Sequence, residues 1–323
     1  MNLRTTYLGL NLAHPIVCGA SPLSADLDTV LRLEQAGAAA IVMHSLFEEQ
    51  IVRRSARRNQ DSTTNPYAQP PGEYLEHLLR IKSRVRMPIV ASLNGTTPEG
   101  WLQYARALER AGADALELNY YHVAIDPLEN SQTIEQRLVD IVAVIKESVS
   151  IPVAVKLSPF HTSVPNLAAR LERIGADGLV LFNRFYQADI DPETRGTAAR
   201  VELSESSDLL LRLHAIAVLA GRVRMSLALT GGANEPIDVV KAVMAGADVV
   251  QVVSTLLRHG PSRLTHLRTQ FEKWCESHGY DSLSQFKASV RLGPAPGEHD
   301  GFERDGYVSA LSSWNFNSRS AAN

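Results

Sequence analysis

Four segments of the sequence repeat one pattern, in which the end of a helix is followed by a glycine turn and a mostly apolar run. They read QAGAAAIVMHS from Gln35, RAGADALELNY from Arg110, RIGADGLVLFN from Arg173 and MAGADVVQVVS from Met244. Glycine suits the left-handed position just past a helix, and a helix-to-strand connection this short is typical of α/β units. The repeat therefore predicts four helix–turn–strand units of an α/β fold.

A second set of apolar runs lies between these segments and brings the predicted strands to eight. The runs are HPIVCGAS from His14, MPIVASLNG from Met87, IPVAVKLSP from Ile151 and MSLALTGG from Met225. Apolar runs of about five or six residues are typical of parallel strands that helices cover. Eight strands alternating with amphipathic helices favour a closed barrel. The alternative is an open doubly wound sheet, but no G-x-G-x-x-G follows the first strand.

We therefore predict a single-domain (β/α)8 TIM barrel over residues 1–292, with a partly ordered C-terminal extension at residues 293–323. Two polar excursions, residues 52–72 and 184–208, interrupt the repeat on the predicted active face. Long loops inside a domain tend to be lids or binding loops.

Composition narrows the class of function. The formal net charge is -3 and no long Lys/Arg block occurs, so nucleic acid is not an expected partner. No run reaches the ~18 apolar residues of a membrane span, and no signal peptide is recognisable, so we expect a cytoplasmic protein. Cys18 and Cys275 stand far apart, which predicts free thiols and no iron–sulfur ligand set. No metal site is expected.

Polar side chains gather where the predicted strands end, which is the catalytic face of this kind of barrel. They are Ser21, His44, Ser45, Asn94, Asn119, His122, Lys156, Asn183, Gly231, Gly232, Ser254 and Thr255. Gly231 and Gly232 precede a helix, and backbone N–H groups freed by glycine can approach an oxyanion there. The two glycines predict a phosphate cup, with a plain tight turn as the alternative.

Lys156 ends an apolar strand, where an ammonium is costly without a partner. Three uses are open to it: a Schiff-base nucleophile, an anion clamp, or a hydrogen-bond donor to a reducible ring. Asn119 and Asn183 each end a strand of the repeat and could bind the amide edges of a flat heterocycle, or could cap local turns.

With these residues assembled, the sequence resembles the dihydroorotate dehydrogenase family of flavin barrels over nearly all of residues 5–292. The motifs that carry the resemblance are NLAHPIVCGASPLS, AGADALELNYY, IPVAVKLSP, GADGLVLFNR, the long run from LALTGGANEPIDVV to VVSTLLRHGP, and HGYDSLSQF. The resemblance implies bound FMN and an oxidoreductase acting on CH–CH groups, with pyrimidine biosynthesis as the default pathway. The cofactor contacts that it implies are Ala20, Ser21, Asn94, Asn119, Lys156, Asn183, Ser204, Gly231, Gly232, Val253 and Ser254.

The substrate side departs from the family pattern. Met43 stands where the family has a lysine after the second strand, and Asn119-Tyr120-Tyr121-His122 replaces a phrase that carries a Cys or Ser base. His122 falls at the base position and, with Lys156, is the predicted catalytic pair, because an imidazole can take up a proton near neutral pH. The alternatives are His44 as the base, or a solvent-exposed His122 with Tyr120 or Tyr121 lining the pocket. Asn119, Asn183, Tyr121 and His44 are the predicted substrate contacts.

The leading hypothesis is an FMN-dependent oxidoreductase that transfers hydride from a C–C or C–N bond of a small cyclic substrate to flavin N5. The alternatives are an aldolase-type lyase using Lys156 as a Schiff base, or a non-catalytic flavin-binding subunit of a redox complex. An external electron-acceptor protein is a candidate partner, and the resemblance implies a homodimer.

Overall fold

The computed structural model describes residues 1–52, 67, 69–184, 188–198, 201–292 and 302–313. The strands are β1 (Thr5–Tyr7), β2 (Leu10–Leu12), β3 (Ile16–Cys18), β4 (Ile41–Phe47), β5 (Ile89–Gly95), β6 (Ala115–Tyr120), β7 (Val153–Leu157), β8 (Gly178–Leu181), β9 (Asp189–Asp191), β10 (Gly196–Ala198), β11 (Ser226–Thr230) and β12 (Val249–Val252). The helices are α1 (Leu27–Gln35), α2 (Glu48–Val52), α3 (Pro71–Lys82), α4 (Pro98–Arg110), α5 (Ser131–Ser148), α6 (Val164–Arg173), α7 (Leu209–Leu219), α8 (Pro236–Ala245), α9 (Ser254–His259), α10 (Arg263–Ser277) and α11 (Arg304–Ser312).

Among the described residues, eight parallel strands close into one barrel in the order β3, β4, β5, β6, β7, β8, β11 and β12. The barrel closes where β12 pairs with β3, with Gln251 opposite Val17. All eight strands are those predicted from the sequence, so the (β/α)8 barrel is confirmed and the open sheet was the wrong alternative.

The repeated phrase explains how each unit is joined. Its four glycines all have positive φ, between 89° and 120°, as the left-handed position past a helix requires. In three repeats the following aspartate accepts the first N–H of the preceding barrel strand. Asp114 accepts from Ile89 N and Asp177 from Val153 N, each at 2.7 Å. Asp248 accepts from Leu227 N in the same way. The AGAD sequence thus satisfies backbone donors that the parallel ladder leaves unpaired.

The inside of the barrel is packed at its amino end. Small apolar side chains from alternate strand positions form one cluster there, for example Val17, Ala115 and Val180. The antiparallel hairpin of β1 and β2 inserts Tyr7, Leu8 and Leu12 into the same cluster. These three residues close the amino end of the barrel, while the carboxyl ends of the strands stay available for a site.

A second and larger apolar cluster lies between the strands and the surrounding helices. Met43, Cys18 and Cys275 belong to this outer cluster, and both cysteines are free and buried. Burial raises the pKa of the Cys18 thiol to about 12. No described helix has the length and apolar character that crossing a bilayer would demand.

The two polar excursions are only partly described. Residues 53–66 and 68 of the first lie outside the described residues, and so do 185–187 and 199–200 of the second. The rest of the second excursion contains the antiparallel hairpin of β9 and β10 and a short 3-10 turn at Ser206–Asp208. The predicted C-terminal extension contains α11, and Phe302 before it lies 5.9 Å from the ring of His214. The boundary at residue 292 stays a prediction.

Candidate active site

A buried ion pair lies inside the barrel just below the mouth. The Lys156 Nζ donates to Glu117 Oε1 at 3.1 Å, and the Gln251 Nε2 donates to Glu117 Oε2 at 2.7 Å. The side chain of Glu117 is 0% exposed and that of Lys156 is 7% exposed. Each oxygen of the Glu117 carboxylate therefore has a partner. The Lys156 ammonium, for which the sequence showed no partner, is paired with this carboxylate.

Three of the predicted cofactor residues lie side by side in the strand register. Asn94 on β5 is opposite Asn119 on β6, and Asn119 is opposite Lys156 on β7. The Asn183 Nδ2 donates to Asn119 Oδ1 at 2.8 Å. The structure thus brings the lysine and the three asparagines together at one part of the mouth, and all but Asn183 are buried.

The two glycines lie at the end of β11, across the barrel from β6. Gly231 and Gly232 have φ angles of 89° and 85°, so a side chain at either position would be strained. A Cβ on Gly232 would also lie 2.6 Å from the backbone N of Leu209. The Gly232 N–H donates to Ser204 Oγ at 3.0 Å, and Ser204 Oγ lies 2.8 Å from Ser254 Oγ. A close-packed cluster of backbone and hydroxyl groups results.

The amide groups just before α8 are bound by the helix's own first turn. Asp238 accepts from the N–H of Asn234 at 3.0 Å and of Glu235 at 2.9 Å. It also accepts from the Ser206 hydroxyl. The predicted phosphate cup therefore depends on the glycines and serines rather than on these two amides, and it stays a prediction.

Arg212 on α7 lies directly behind Gly231. Its Nε donates to Thr230 O at 2.9 Å and its Nη1 donates to Asp208 O at 2.6 Å, so both bonds go to backbone carbonyl groups. A Cβ on Gly231 would approach the Arg212 Nε to 2.9 Å. Burial lowers the pKa of Arg212, while Asp208 nearby acts in the opposite direction. A buried guanidinium therefore adds positive charge beside the glycine turn.

Ala20 and Ser21 follow β3 at the same end of the barrel. Ser21 Oγ is buried and finds no hydrogen-bond partner among the described residues. Ala20 packs against the cluster inside the barrel. The neighbouring Gly19 is close to the strand carrying Gln251, because a Cβ there would lie 2.7 Å from Val253 Cγ2. A buried hydroxyl without a partner is costly in an isolated chain, which points to a ligand group beside it.

Met43 is buried within β4, and its correspondence to the family lysine stays a prediction. Its side chain packs in the outer cluster, so it does not occupy a position facing the mouth. The pairing of β4 with β5 is irregular between Val42 and Ser45, which includes Met43 and His44. His44 is buried, its Nδ1 lies 3.0 Å from Ser24 Oγ, and its ring lies 5.0 Å from that of Tyr74. Burial lowers the pKa of His44 to about 4.

His122 lies beside the mouth, in a cavity of about 280 Å³ between the loops that follow β6 and β7. Its Nε2 is 2.7 Å from Glu129 Oε2, and Arg137 donates to the other oxygen of Glu129 at 2.5 Å. The His122 ring stacks on Tyr120 with ring centroids 6.0 Å apart. Neither Asn119 nor Lys156 lines this cavity. The assignment of His122 as a base, like that of Tyr121 as a substrate contact, stays a prediction.

Three functional candidates were missed at the level of sequence: Glu117, Gln251 and Arg212. Each is a lone polar residue in an apolar run, in ALELNY, VVQVVS and LLLRLHAIAVL. Glu117 lies two residues before Asn119, so the two-residue period of a strand places both on the same face. That spacing was the signal that could have found it.

These residues fit FMN as a resident cofactor. A planar heterocycle with amide edges needs donors and acceptors of the kind that Lys156, Asn119 and Asn183 supply, and a phosphate needs a cradle without side chains. Gly231 and Gly232 form a turn without side chains, where a Cβ would meet Arg212 or the Leu209 backbone. The unpartnered Ser21 hydroxyl lies at the same mouth. No group of His, Cys, Asp and Glu in the described residues could hold a metal ion.

Fold and site together define a (β/α)8-barrel enzyme whose polar site lies at the carboxyl ends of its strands. The sequence profile of the family described as dihydroorotate dehydrogenase matches residues 3–274, so the chain belongs to that family. It is a dihydroorotate dehydrogenase-like oxidoreductase of the CH–CH class.

Several curated relatives are similar over most of their length. The catalytic subunit of dihydroorotate dehydrogenase B (NAD(+)) from Thermoplasma acidophilum is 27% identical over 292 residues, which cover 87% of this chain and 96% of the relative. The protein of the same name from Pyrococcus furiosus is 24% identical, and the match covers 88% of this chain and 97% of the relative. A putative dihydroorotate dehydrogenase A (fumarate) from Aeropyrum pernix is 29% identical, and the match covers 64% of this chain and 68% of the relative.

Proposed function

We propose that the chain is an FMN-dependent oxidoreductase that acts on a C–C or C–N bond of a small cyclic substrate. The observation that carries the proposal is that a glycine turn after β11 and the cluster of Lys156 with three asparagines lie at one barrel mouth, with Asn183 following the strand that pairs with β11. Bound FMN would supply a two-electron acceptor for the oxidation of a CH–CH group.

In this proposal the chain's own residues position the cofactor. Gly231, Gly232, Ser204, Val253 and Ser254 would hold the phosphate, and Arg212 would add positive charge behind it. The residues that would surround the ring are Ala20, Ser21, Asn94, Asn119, Lys156 and Asn183. The Lys156 ammonium, which Glu117 already holds, would offer its remaining N–H donors to the pyrimidine edge.

We assign proton uptake from the substrate to His122. The Glu129 carboxylate bound at its Nε2 keeps the hydrogen on that nitrogen, which leaves Nδ1 as the acceptor in the neutral ring. Arg137 orients Glu129 in turn. A Schiff-base lyase is not favoured, because the nucleophile would have to be an uncharged amine, whereas the Lys156 Nζ donates to a buried carboxylate.

The name of one relative contains NAD(+) and that of another fumarate, so neither fixes the electron acceptor of this chain. We propose an external acceptor, a homodimeric assembly and a place in the cytoplasm as further properties. Dihydroorotate is the nearest named candidate for the substrate. Turnover by the chain itself is preferred over a non-catalytic subunit because the family profile covers residues 3–274 and a His–carboxylate pair lies in the loop after β6.

The test is to purify the protein from cells supplied with riboflavin. We expect the visible absorption of an oxidised flavin, release of FMN on denaturation, and anaerobic bleaching by a reduced cyclic substrate. A colourless protein that takes up no added FMN would refute the proposal. A flavin that no member of a panel of reduced pyrimidines bleaches would instead favour a non-catalytic flavin-binding subunit.

A further inference from the structure

The cavity beside His122 contains a second histidine–carboxylate pair. His161 Nδ1 lies 3.5 Å from Glu135 Oε1, and Arg170 Nη1 lies 3.1 Å from the other oxygen of Glu135. The side chains of His161 and Glu135 are 9% and 13% exposed. Two imidazoles, each beside an arginine-paired carboxylate, therefore line the same cavity.

The walls of the cavity favour a ring with apolar faces. Tyr120, Val123, Ile134 and Phe160 line it with apolar groups, and Ser131, Ser158 and Thr162 add hydroxyl groups. Its volume of about 280 Å³ lies just below the range of about 300–1,000 Å³ that drug-sized ligands occupy. The cavity therefore suits a ligand that consists of a single ring of nucleobase size.

The charges around the cavity disfavour an anion. Among the described residues that line it there is no lysine or arginine, and the charged lining group is the Glu135 carboxylate. Arg170 and Arg137 lie nearby, but each is bound to a carboxylate. Burial lowers the pKa of His161, with Glu135 acting in the opposite direction, so this ring is neutral near neutral pH. A carboxylate in the cavity would lose water without meeting an unpaired cation.

The polar groups suit a ring that carries both N–H donors and carbonyl acceptors. One ring nitrogen of His122 and one of His161 faces a carboxylate, which leaves the second nitrogen of each ring for a ligand group. The serine and threonine hydroxyls can donate to carbonyl oxygens. Alternating N–H and C=O groups are the edge of a cyclic lactam or imide.

We propose that this cavity binds an uncharged lactam or imide ring of nucleobase size and selects against a ring that carries a carboxylate. This inference rests on the proposed function through His122, which lines the cavity and is the proposed proton acceptor. It makes uncharged cyclic amides, rather than the dihydroorotate anion, the substrate class of the site.

The test compares uracil with orotate, two planar rings that differ by one carboxylate, in calorimetric titrations of the flavin-loaded protein. We expect uracil to bind and orotate to bind at least about tenfold more weakly, which corresponds to about 1.4 kcal/mol. Ala124→Trp, which fills the cavity, should abolish uracil binding and leave the FMN content unchanged. Ile125→Trp is the matched control, because Ile125 is 86% exposed and does not line the cavity.

A charge-introducing variant tests the selectivity directly. Val123 lines the cavity and is 48% exposed, so Val123→Lys can fold while it places a cation at the wall. We expect this variant to reverse the preference, so that orotate binds more tightly than uracil. Tighter binding of orotate to the unaltered protein, or uracil binding that survives Ala124→Trp, would overturn the inference. Lack of flavin colour would count against the proposed function instead.

Discussion

The carboxylate of Glu117 determines where the Lys156 ammonium can lie. Both groups are buried, and Gln251 occupies the carboxylate oxygen that Lys156 leaves. Removing one member of such a pair leaves a buried charge without compensation, which costs more than the pair contributes when it is intact. Glu117 is therefore a positioning residue for the proposed contact between Lys156 and the cofactor.

We expect Glu117→Gln to lower the free energy of unfolding by about 3 kcal/mol, because it leaves the Lys156 charge buried and unpaired. Urea unfolding of the protein without cofactor measures this. The double variant Glu117→Gln/Lys156→Met removes both charges and should be more stable than either single variant. Strictly additive losses would mean that the two side chains do not interact as described.

Residue patterns in the sequence located the site but not the partners of its residues. Asn119, Lys156 and Asn183 were predicted from their positions at strand ends, and the structure brings them together. The partner of Lys156 could not be identified from its own segment, because Glu117 lies 39 residues away and meets it only through strand register. The irregular pairing of β4 with β5 between Val42 and Ser45 likewise leaves no signal in the sequence.

At the scale of elements, the turn after β11 depends on two glycines that leave no room for a side chain. Gly232 packs against the backbone at the start of α7, with the Ser204 hydroxyl on its N–H. The sequence GGANEP predicted this turn. It could not predict that Asp238 takes the amide donors at the start of α8, because an acidic residue in a first helical turn serves equally well as a cap or as a surface charge.

We expect Gly232→Ala to lower the free energy of unfolding by about 1–3 kcal/mol and to prevent FMN from being retained. The reason is that its Cβ would meet Leu209 N at 2.6 Å and that φ is 85°. Denaturant unfolding and the flavin content of the purified protein are the measurements. Gly72→Ala is the control, because a Cβ on Gly72 in α3 meets nothing within 4 Å and should be neutral or stabilising. Equal behaviour of the two variants would contradict the description of the turn.

For the molecule as a whole, two buried histidines link stability to pH. Burial lowers the pKa of His14, like that of His44, from the ordinary value of 6.5 to about 4. In the unfolded chain both rings take up protons as the pH falls below 6.5, while in the folded protein they stay neutral until about pH 4. The unfolded state therefore binds more protons in this window, and stability falls as the pH falls.

Urea unfolding measured at intervals between pH 7 and pH 4 tests this expectation, with about 1.4 kcal/mol lost per histidine for each pH unit below the unfolded value. His14→Gln should reduce the acid-induced loss, because it removes one of the buried rings whose pKa is lowered. His259→Gln is the control, since His259 is exposed at the end of α9. Equal pH profiles for the two variants would show that burial of His14 does not couple folding to protonation.

The barrel as a whole could be predicted because the sequence pattern that specifies it repeats along the chain. The AGAD phrase and the apolar runs gave the eight strands in their chain order, and each repeat has the same cause in glycine geometry and aspartate–backbone bonds. The residues that line the cavity beside His122 follow no such repeated pattern. It depends on how the loops after β6 and β7 face α5, which unites residues as distant as Tyr120 and Thr162.

The hairpin of β1 and β2 has a kinetic consequence for the proposed enzyme. Tyr7, Leu8 and Leu12 close the amino end of the barrel. A substrate and a small oxidant would therefore both enter at the carboxyl ends of the strands. Where the substrate and the oxidant also occupy the same position beside the cofactor, only one of them can be bound at a time. The two half-reactions would then alternate, with the oxidised product leaving before the acceptor enters, which is the ping-pong order of turnover.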